Sequence, residues 1–223
     1  MEYVRLGKTN LLVSRIGFGT SLLKDFADSN DVSTIVHTAY DGGINFFNST
    51  RNKNISEKLL GDALHDLRQD IIISSTTSAK TKEELNSDVH ESLMNMHVDQ
   101  IDLYQYEINS FVPLKDGIDG IYNELLKMKD SGKINHIGAM TEDFDLAKKI
   151  INTNLYETLQ FPFSMISSLE CPNLLHSAKS MTWGSLRCNL CAVAYSLTFR
   201  SLLVFCINTK MLFRSGAYKL PKS

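Results

Sequence analysis

The chain has 223 residues, 43% of them hydrophobic, and a formal net charge of −2. That is enough apolar material for one domain with a substantial core, and the near-neutral balance gives no electrostatic case for nucleic acid. Met1–Arg5 runs straight into strand-like sequence, which reads as no secretory leader, and four cysteines without framework spacing fit a reducing, cytoplasmic setting.

Tyr3–Arg5 and Leu11–Ser14 flank the turn-rich Gly7-Lys-Thr-Asn10 and predict a β-hairpin. Arg15–Thr20 follows as a short strand ending in glycine. Val32, Ile35, Val36 and Tyr40 have helical spacing, so Asp31–Tyr40 is expected to be a helix with Asp31 as its N-cap. Ile44–Phe47 reads as a buried strand that runs into a polar cluster, Asn48 to Asn54. Ser56–Leu67 carries Leu59, Leu60, Ala63 and Leu64 on one helical face, and Asp70–Ser74 is an apolar run typical of a strand covered on both sides. Thr81 with Glu84 forms a capping box for a helix to Met96. The strand Ile101–Tyr104, the helix Gly120–Met128 ending at Ser131-Gly132, the strand Lys133–Gly138, the helix Asp143–Ile151 and the strand Thr158–Gln160 complete the series.

A hairpin, five strand–helix units and a sixth strand imply parallel strands joined by right-handed crossovers. So many units favour an α/β fold of (β/α)8 TIM-barrel type over a doubly wound sheet. No Gly-x-Gly-x-x-Gly follows the first strand. A full barrel needs about 250 residues, so the last two β/α units are expected to be missing or altered. The expected organisation is a barrel part over residues 1–180 and an atypical C-terminal segment over 181–223.

Several stretches in this order resemble the aldo-keto reductases. They are Leu6-Gly-Lys-Thr with Gly17-Phe-Gly19-Thr20, Asp41-x-Gly43-Ile-Asn-Phe-Phe, Ser56-Glu57-x-x-Leu-Gly61, Asp99-x-Ile-Asp102-Leu-Tyr-Gln105, Gly132-Lys-Ile-x-His-Ile-Gly138 and Leu159-Gln160-Phe-Pro162. The resemblance implies a barrel closed below by the hairpin, NADPH as cofactor, and carbonyl reduction. That reaction uses a Tyr proton donor, a Lys that lowers the Tyr pKa, an Asp paired with the Lys, and a His near the substrate. At the Asp position stands Asn48, at the Tyr position Lys53, at the Lys position Thr76, and at the His position Glu107. The resemblance places the nicotinamide end against Gly19, Thr20, Thr141 and Gln160, with Met140-Thr141 where the family has a Ser/Thr-Asn pair.

With all four catalytic positions changed, the expectation is a homologue without reductase activity. Two alternatives stand beside it: an active NAD(P)H-linked reductase of aldehydes or ketones using altered residues, such as Lys53 paired with Glu107, or a non-enzymatic barrel fragment that binds a partner. Open sheet edges left by the missing units would favour self-association.

The tail departs from the rest. No Asp or Glu occurs after Glu170, and Thr182–Tyr195 matches nothing in the family. Codons allowed for Thr182–Tyr195 and for Lys210–Lys219, read one base earlier, spell text resembling the family's seventh and eighth strands. A displaced reading frame after Met181 is therefore expected. Cys188-x-x-Cys191 has no second pair and no downstream histidine, so no metal site is expected. Leu190–Ile207 is apolar but carries Arg200 near its middle, which argues against a membrane span.

Overall fold

The computed structural model describes residues 1–21, 23, 29–51, 54–162, 184–188 and 204–207. Strands β1 (Tyr3–Arg5) and β2 (Leu12–Ser14) pair antiparallel as the expected hairpin. Then follow β3 (Ile16–Gly19), α1 (Ser29–Asp41), β4 (Phe46–Asn48), α2 (Asn54–Leu64), β5 (Ile72–Thr77), α3 (Lys82–Met96), β6 (Ile101–Glu107), α4 (Ile121–Asp130), β7 (Ile134–Met140), α5 (Phe144–Thr153) and β8 (Thr158–Pro162). Strands β3 to β8 are parallel neighbours in chain order, which is the curled sheet of an incomplete (β/α)8 barrel and excludes the doubly wound alternative.

The last two units are altered. β9 (Gly184–Cys188) lies parallel to β8, but β10 (Val204–Ile207) runs antiparallel to both β9 and β3. The ring thus closes with a reversed strand, and among the described residues no helix follows β8 or β9. The edges expected to be open, on β8 and β3, are paired in this arrangement. The reason is plain: an edge offers unmatched N–H and C=O groups, and any extended segment of the chain can satisfy them.

Alternation along the strands sorts residues into two cores. Phe18, Phe47, Ile73 and Tyr104 point outward and pack with Val36, Leu60, Leu85, Leu125 and Ile150 from the surrounding helices. Phe46 and Leu103 point inward and pack with Leu6 and Val13 of the hairpin, which plugs the lower end. Asn45 fastens that plug: its Oδ1 accepts the Ser14 N–H at 2.6 Å and its Nδ2 donates to the Leu12 carbonyl at 3.0 Å. Helices α2 and α3 cross at Gly61, where a Cβ would lie 2.5 Å from the Met96 Cα, so only glycine permits this approach.

Local signals mostly act where the sequence puts them. The Thr81 hydroxyl caps α3 by accepting the Glu84 N–H at 3.1 Å, but Glu84 reaches back to the Lys80 N–H, one residue beyond the usual box. Helix α1 begins at Ser29, so Asp31 sits in its first turn rather than at its cap. The helix expected over Ser56–Leu67 ends at Leu64 and tightens into a 3-10 turn over His65–Asp70. The strand expected at Asp70–Ser74 runs later, from Ile72 to Thr77, because the hydroxyls of Ser74 to Thr77 find buried partners.

Glu157, immediately before β8, ties α4 and β7 to that strand. It accepts from Lys129 of α4 at 2.6 Å, from the Ile137 N–H of β7 at 3.0 Å, and pairs with His136 at 2.7 Å. Burial works to raise its pKa, but the hydrogen bonds from His136, Lys129 and Ile137 outweigh it and bring it down to about 2. A depressed carboxyl contributes stability that is complete above its unfolded value and lost as pH falls towards the folded one. Glu157→Gln is therefore expected to cost about 2 kcal/mol at pH 7. Urea denaturation of both proteins should show that difference shrinking between about pH 4.5 and pH 2.

Candidate active site

The upper ends of β4, β5, β6 and β8 point a set of neutral polar side chains into the barrel. At its centre is Gln105, fully buried on β6. Its Nε2 lies 3.1 Å from Asn48 Oδ1, 3.2 Å from Ser74 Oγ, 3.3 Å from Thr76 Oγ1 and 2.9 Å from Gln160 Oε1. An amide NH2 has two hydrogens, so these four acceptors share it. Asn48 is 7% exposed and Thr76 2%, which places both in the closed interior rather than in solvated loops. The Gln105 Oε1 has no hydrogen-bond partner among the described residues. Gly138 on β7 makes room for this packing: a Cβ there would lie 2.4 Å from Thr158 Oγ1 and 2.9 Å from Gln105 Cγ.

Two of the four expected catalytic positions, Asn48 and Thr76, thus meet through one amide. Glu107 ends β6 partly exposed and accepts from Asn109 Nδ2 at 3.2 Å. Lys53 lies outside the described residues, as does Cys191 of the Cys-x-x-Cys pair and most of the apolar run before β10. Among the described residues no helix is long and apolar enough to cross a membrane, and no group of three or more His, Cys, Asp or Glu could hold a metal ion.

The nicotinamide-end positions are also buried. Thr20 donates its hydroxyl to Ser49 Oγ at 2.9 Å, and its N–H reaches the Asn48 carbonyl. Thr141 Oγ1 accepts the Asp143 N–H at 3.2 Å, opening α5, and the Thr141 N–H donates to the Gln160 carbonyl. Gly19 lies beside Asn48 in the β3–β4 register. Gln160 is 3% exposed, with Oε1 facing Gln105 and Nε2 directed at Met140 Sδ at 3.6 Å. Each of these polar side chains holds a partner within the barrel and keeps further donor or acceptor capacity, as hydroxyls and amides with a single bond at each end do.

The sequence reading missed the Arg51–Glu57 network beside the mouth. Glu57 has no exposure; its carboxylate accepts from Ser75 Oγ and Ser92 Oγ, both at 2.7 Å, and pairs with Arg51 at 3.3 Å. Arg51 also bonds Asp88 and Glu91 of α3, so it clamps the start of the loop after β4 against the outside of the barrel. The signal available was the charge itself, a Glu in an otherwise apolar helical face next to Arg51. Gln105 appeared only as part of a motif, although its place on the same strand face as Leu103 would have marked it as inward.

Among the described residues, the buried layer of amides and hydroxyls at this mouth can hydrogen-bond. Amides and aliphatic hydroxyls do not release protons near neutrality. The tyrosines of β6 face the helices, and their phenols move the wrong way for proton donation. Burial raises Tyr104, and Tyr106 is pushed up to about 12 by burial with the nearby carboxylates of Asp119, Glu84 and Glu107. A cavity of about 380 Å³ lined by Tyr3, Tyr40, Asp41 and Asp70 opens at the opposite end, beside the hairpin.

A parallel α/β barrel with a hairpin plug and a polar mouth at the carboxyl ends of its strands has the architecture of a barrel enzyme. Residues 15–196 match the Aldo/keto reductase family, and the chain belongs to that family. It is 29% identical over 167 residues to L-galactose dehydrogenase of Arabidopsis thaliana, covering 68% of this chain and 52% of that one. It is 24% identical over 196 residues to NADH-specific methylglyoxal reductase of Escherichia coli, covering 74% and 60%. The chain thus spans little more than half the length of these relatives. Among solved structures, an aldo-keto reductase from Bacillus halodurans in its holo form superposes with a TM-score of 0.74 at 22% identity, over 84% of this chain and 65% of that one. One from Klebsiella pneumoniae in complex with NADPH gives 0.72 at 19%, over 82% and 66%.

Asn48 and Thr76, expected from the resemblance to stand at an Asp and a Lys position, share one neutral partner, Gln105. Asn48→Asp alone is expected to cost about 3 kcal/mol at pH 7, because it leaves an unpaired buried charge. Adding Thr76→Lys should recover about 1–3 kcal/mol of that loss as a coupling energy. Denaturation of the four proteins of the cycle at pH 7 measures the coupling; at pH 4 the penalty of the single Asp should shrink as it protonates.

Proposed function

We propose that this chain is an aldo-keto reductase-family protein that has lost carbonyl reduction. The observation that carries the reading is the neutral Asn48–Gln105–Thr76 cluster at the place where the reaction needs an Asp–Lys pair. Without that pair nothing lowers the pKa of a proton donor, and Lys53 stands where the donor Tyr would be. Lys53 acting as acid beside Glu107 is a weaker alternative, because a carboxylate partner raises the pKa of a lysine instead of lowering it. Catalysis of this type fails as a unit, so restoring one residue does not restore the reaction.

Incubation with NADPH and a panel of aldehydes and ketones is expected to give no oxidation of the cofactor above the protein-free rate. Asn48→Asp or Thr76→Lys alone should leave that result unchanged. Steady enzyme-proportional turnover by the unmodified chain on any carbonyl substrate would refute the reading.

The reading extends to residues 181–223, for which we propose a displaced reading frame. It is supported by the absence of acidic residues after Glu170 and by the reversed β10 where the fold calls for a parallel strand. The family match runs on to residue 196 and so covers Thr182–Tyr195, which corrects the expectation that this stretch matches nothing in the family. Sequencing the gene around the Met181 codon should reveal a frame that, after a one-base change, continues into family sequence. A gene in which no such frame exists would end this part of the proposal.

A further inference from the structure

Two oxygens inside the barrel have no hydrogen-bond partner among the described residues: Oε1 of Gln105 and Oγ1 of Thr158. Both residues are fully buried. They also stand together. Gly138 pairs with Gln105 on one side and with Thr158 on the other, so β6 and β8 present these residues at one level of the ring. Gly138 puts no side chain between them. A Cβ there would lie 2.4 Å from Thr158 Oγ1, 2.9 Å from Gln105 Cγ and 3.2 Å from Leu103 Cδ1. The place over Gly138 is thus edged by a hydroxyl, by the Gln105 side chain and by a leucine methyl. A buried polar atom left without a partner is costly, and here two such atoms border one small space.

We propose that the space over Gly138 is a binding site for one water molecule, which joins Gln105 Oε1 to the Thr158 hydroxyl and belongs to the fold. The chemistry of the two atoms selects this ligand. An amide oxygen only accepts, whereas a threonine hydroxyl brings a proton that needs an acceptor. The ligand must donate on one side and accept on the other. Water does both: it donates a hydrogen to Gln105 Oε1, and its oxygen takes the Thr158 hydroxyl proton. Ammonium has no lone pair to offer that proton. A metal cation would find two neutral oxygens, too few to replace its hydration shell. Two polar partners suffice for an internal water, and the closeness of Leu103 Cδ1 leaves no room for a larger molecule. The consequence reaches the mouth. With Oε1 held by the water, the Gln105 amide cannot turn over, and its Nε2 stays directed at Asn48, Ser74, Thr76 and Gln160. One water thus orients the amide on which the polar layer converges.

The test is oxygen-17 magnetic relaxation dispersion, whose amplitude counts the long-lived waters held by each protein molecule. It reads water oxygen, so exchanging hydroxyl protons do not contribute. The full chain is compared with Thr158→Ser, which keeps the hydroxyl, and with Thr158→Val, which keeps the shape and removes it. Waters held elsewhere are common to all three and cancel in the comparison. Thr158→Ser is expected to match the unmodified chain, and Thr158→Val to fall below both by one water per chain. Equal amplitudes for Thr158→Val and the unmodified chain overturn the proposal. A loss in Thr158→Ser as large as that in Thr158→Val overturns it as well, because the hydroxyl would then not be what holds the water. Should Thr158→Val fail to fold, Gly138→Ala decides in its place: its methyl occupies the site, so it too should lose one water, and an unchanged amplitude removes the inference. None of these outcomes bears on the proposed loss of reduction, which is tested separately by turnover.

Discussion

A carboxylate with no solvent exposure sits on the wall of this barrel, and much of the surrounding order follows from keeping Glu57 matched. A buried charge is tolerable only when its lone pairs are filled and an opposite charge is near. Here the partners come from three directions: Ser75 on β5, Ser92 on α3 and Arg51 from the loop after β4. Because Arg51 is also shared with Asp88 and Glu91, the loop, α2, α3 and β5 cannot shift independently. Removing one partner from such a set leaves an uncompensated charge, which costs about 3–5 kcal/mol in general. The close α2–α3 crossing at Gly61 and the polar, later course of β5 are both consistent with this anchor.

Inside the barrel the logic is the reverse. Where the wall keeps its charges, the buried layer below the mouth is neutral among the described residues: Asn48, Ser74, Thr76 and Gln160 all converge on the Gln105 amide. Replacing a buried ion pair by a neutral network often leaves stability unharmed or improved, since the desolvation of two ions disappears. The framework below does not depend on charges in this layer. The hairpin plug, the Asn45 clasp and the inward Phe46–Leu103 layer are indifferent to which groups occupy the layer above them.

The sequence makes the framework legible because hydrophobic alternation and helical spacing are strong, local signals. Ile101–Leu103, Leu85–Val89 and the Thr81 cap fall where those signals put them. The polar layer was less legible. In the sequence Asn48 and Thr76 are legible only as polar residues at positions of the family pattern, and the structure buries both. A single side chain, Gln105, brings them together from a strand 57 residues away from Asn48, and no local pattern reports a contact at that separation. The closure by β10 was not legible at all, because strand pairing at an edge depends on unsatisfied backbone groups and not on side-chain periodicity.

The reversal of β10 also changes the polarity of what a barrel delivers to its mouth. In a parallel barrel every strand runs upward, so each following helix starts at the mouth with its positive dipole end and free N–H groups turned towards a bound anion. β10 runs the other way: Val204 pairs with Phe18 and Cys206 with Ile16, so Ile207 arrives at the hairpin end. Whatever chain continues from there begins at the foot of the barrel, about four residues or roughly 13 Å from the rim. The strand at the eighth position thus contributes backbone hydrogen bonds to the ring while its own carboxyl end points away from the mouth.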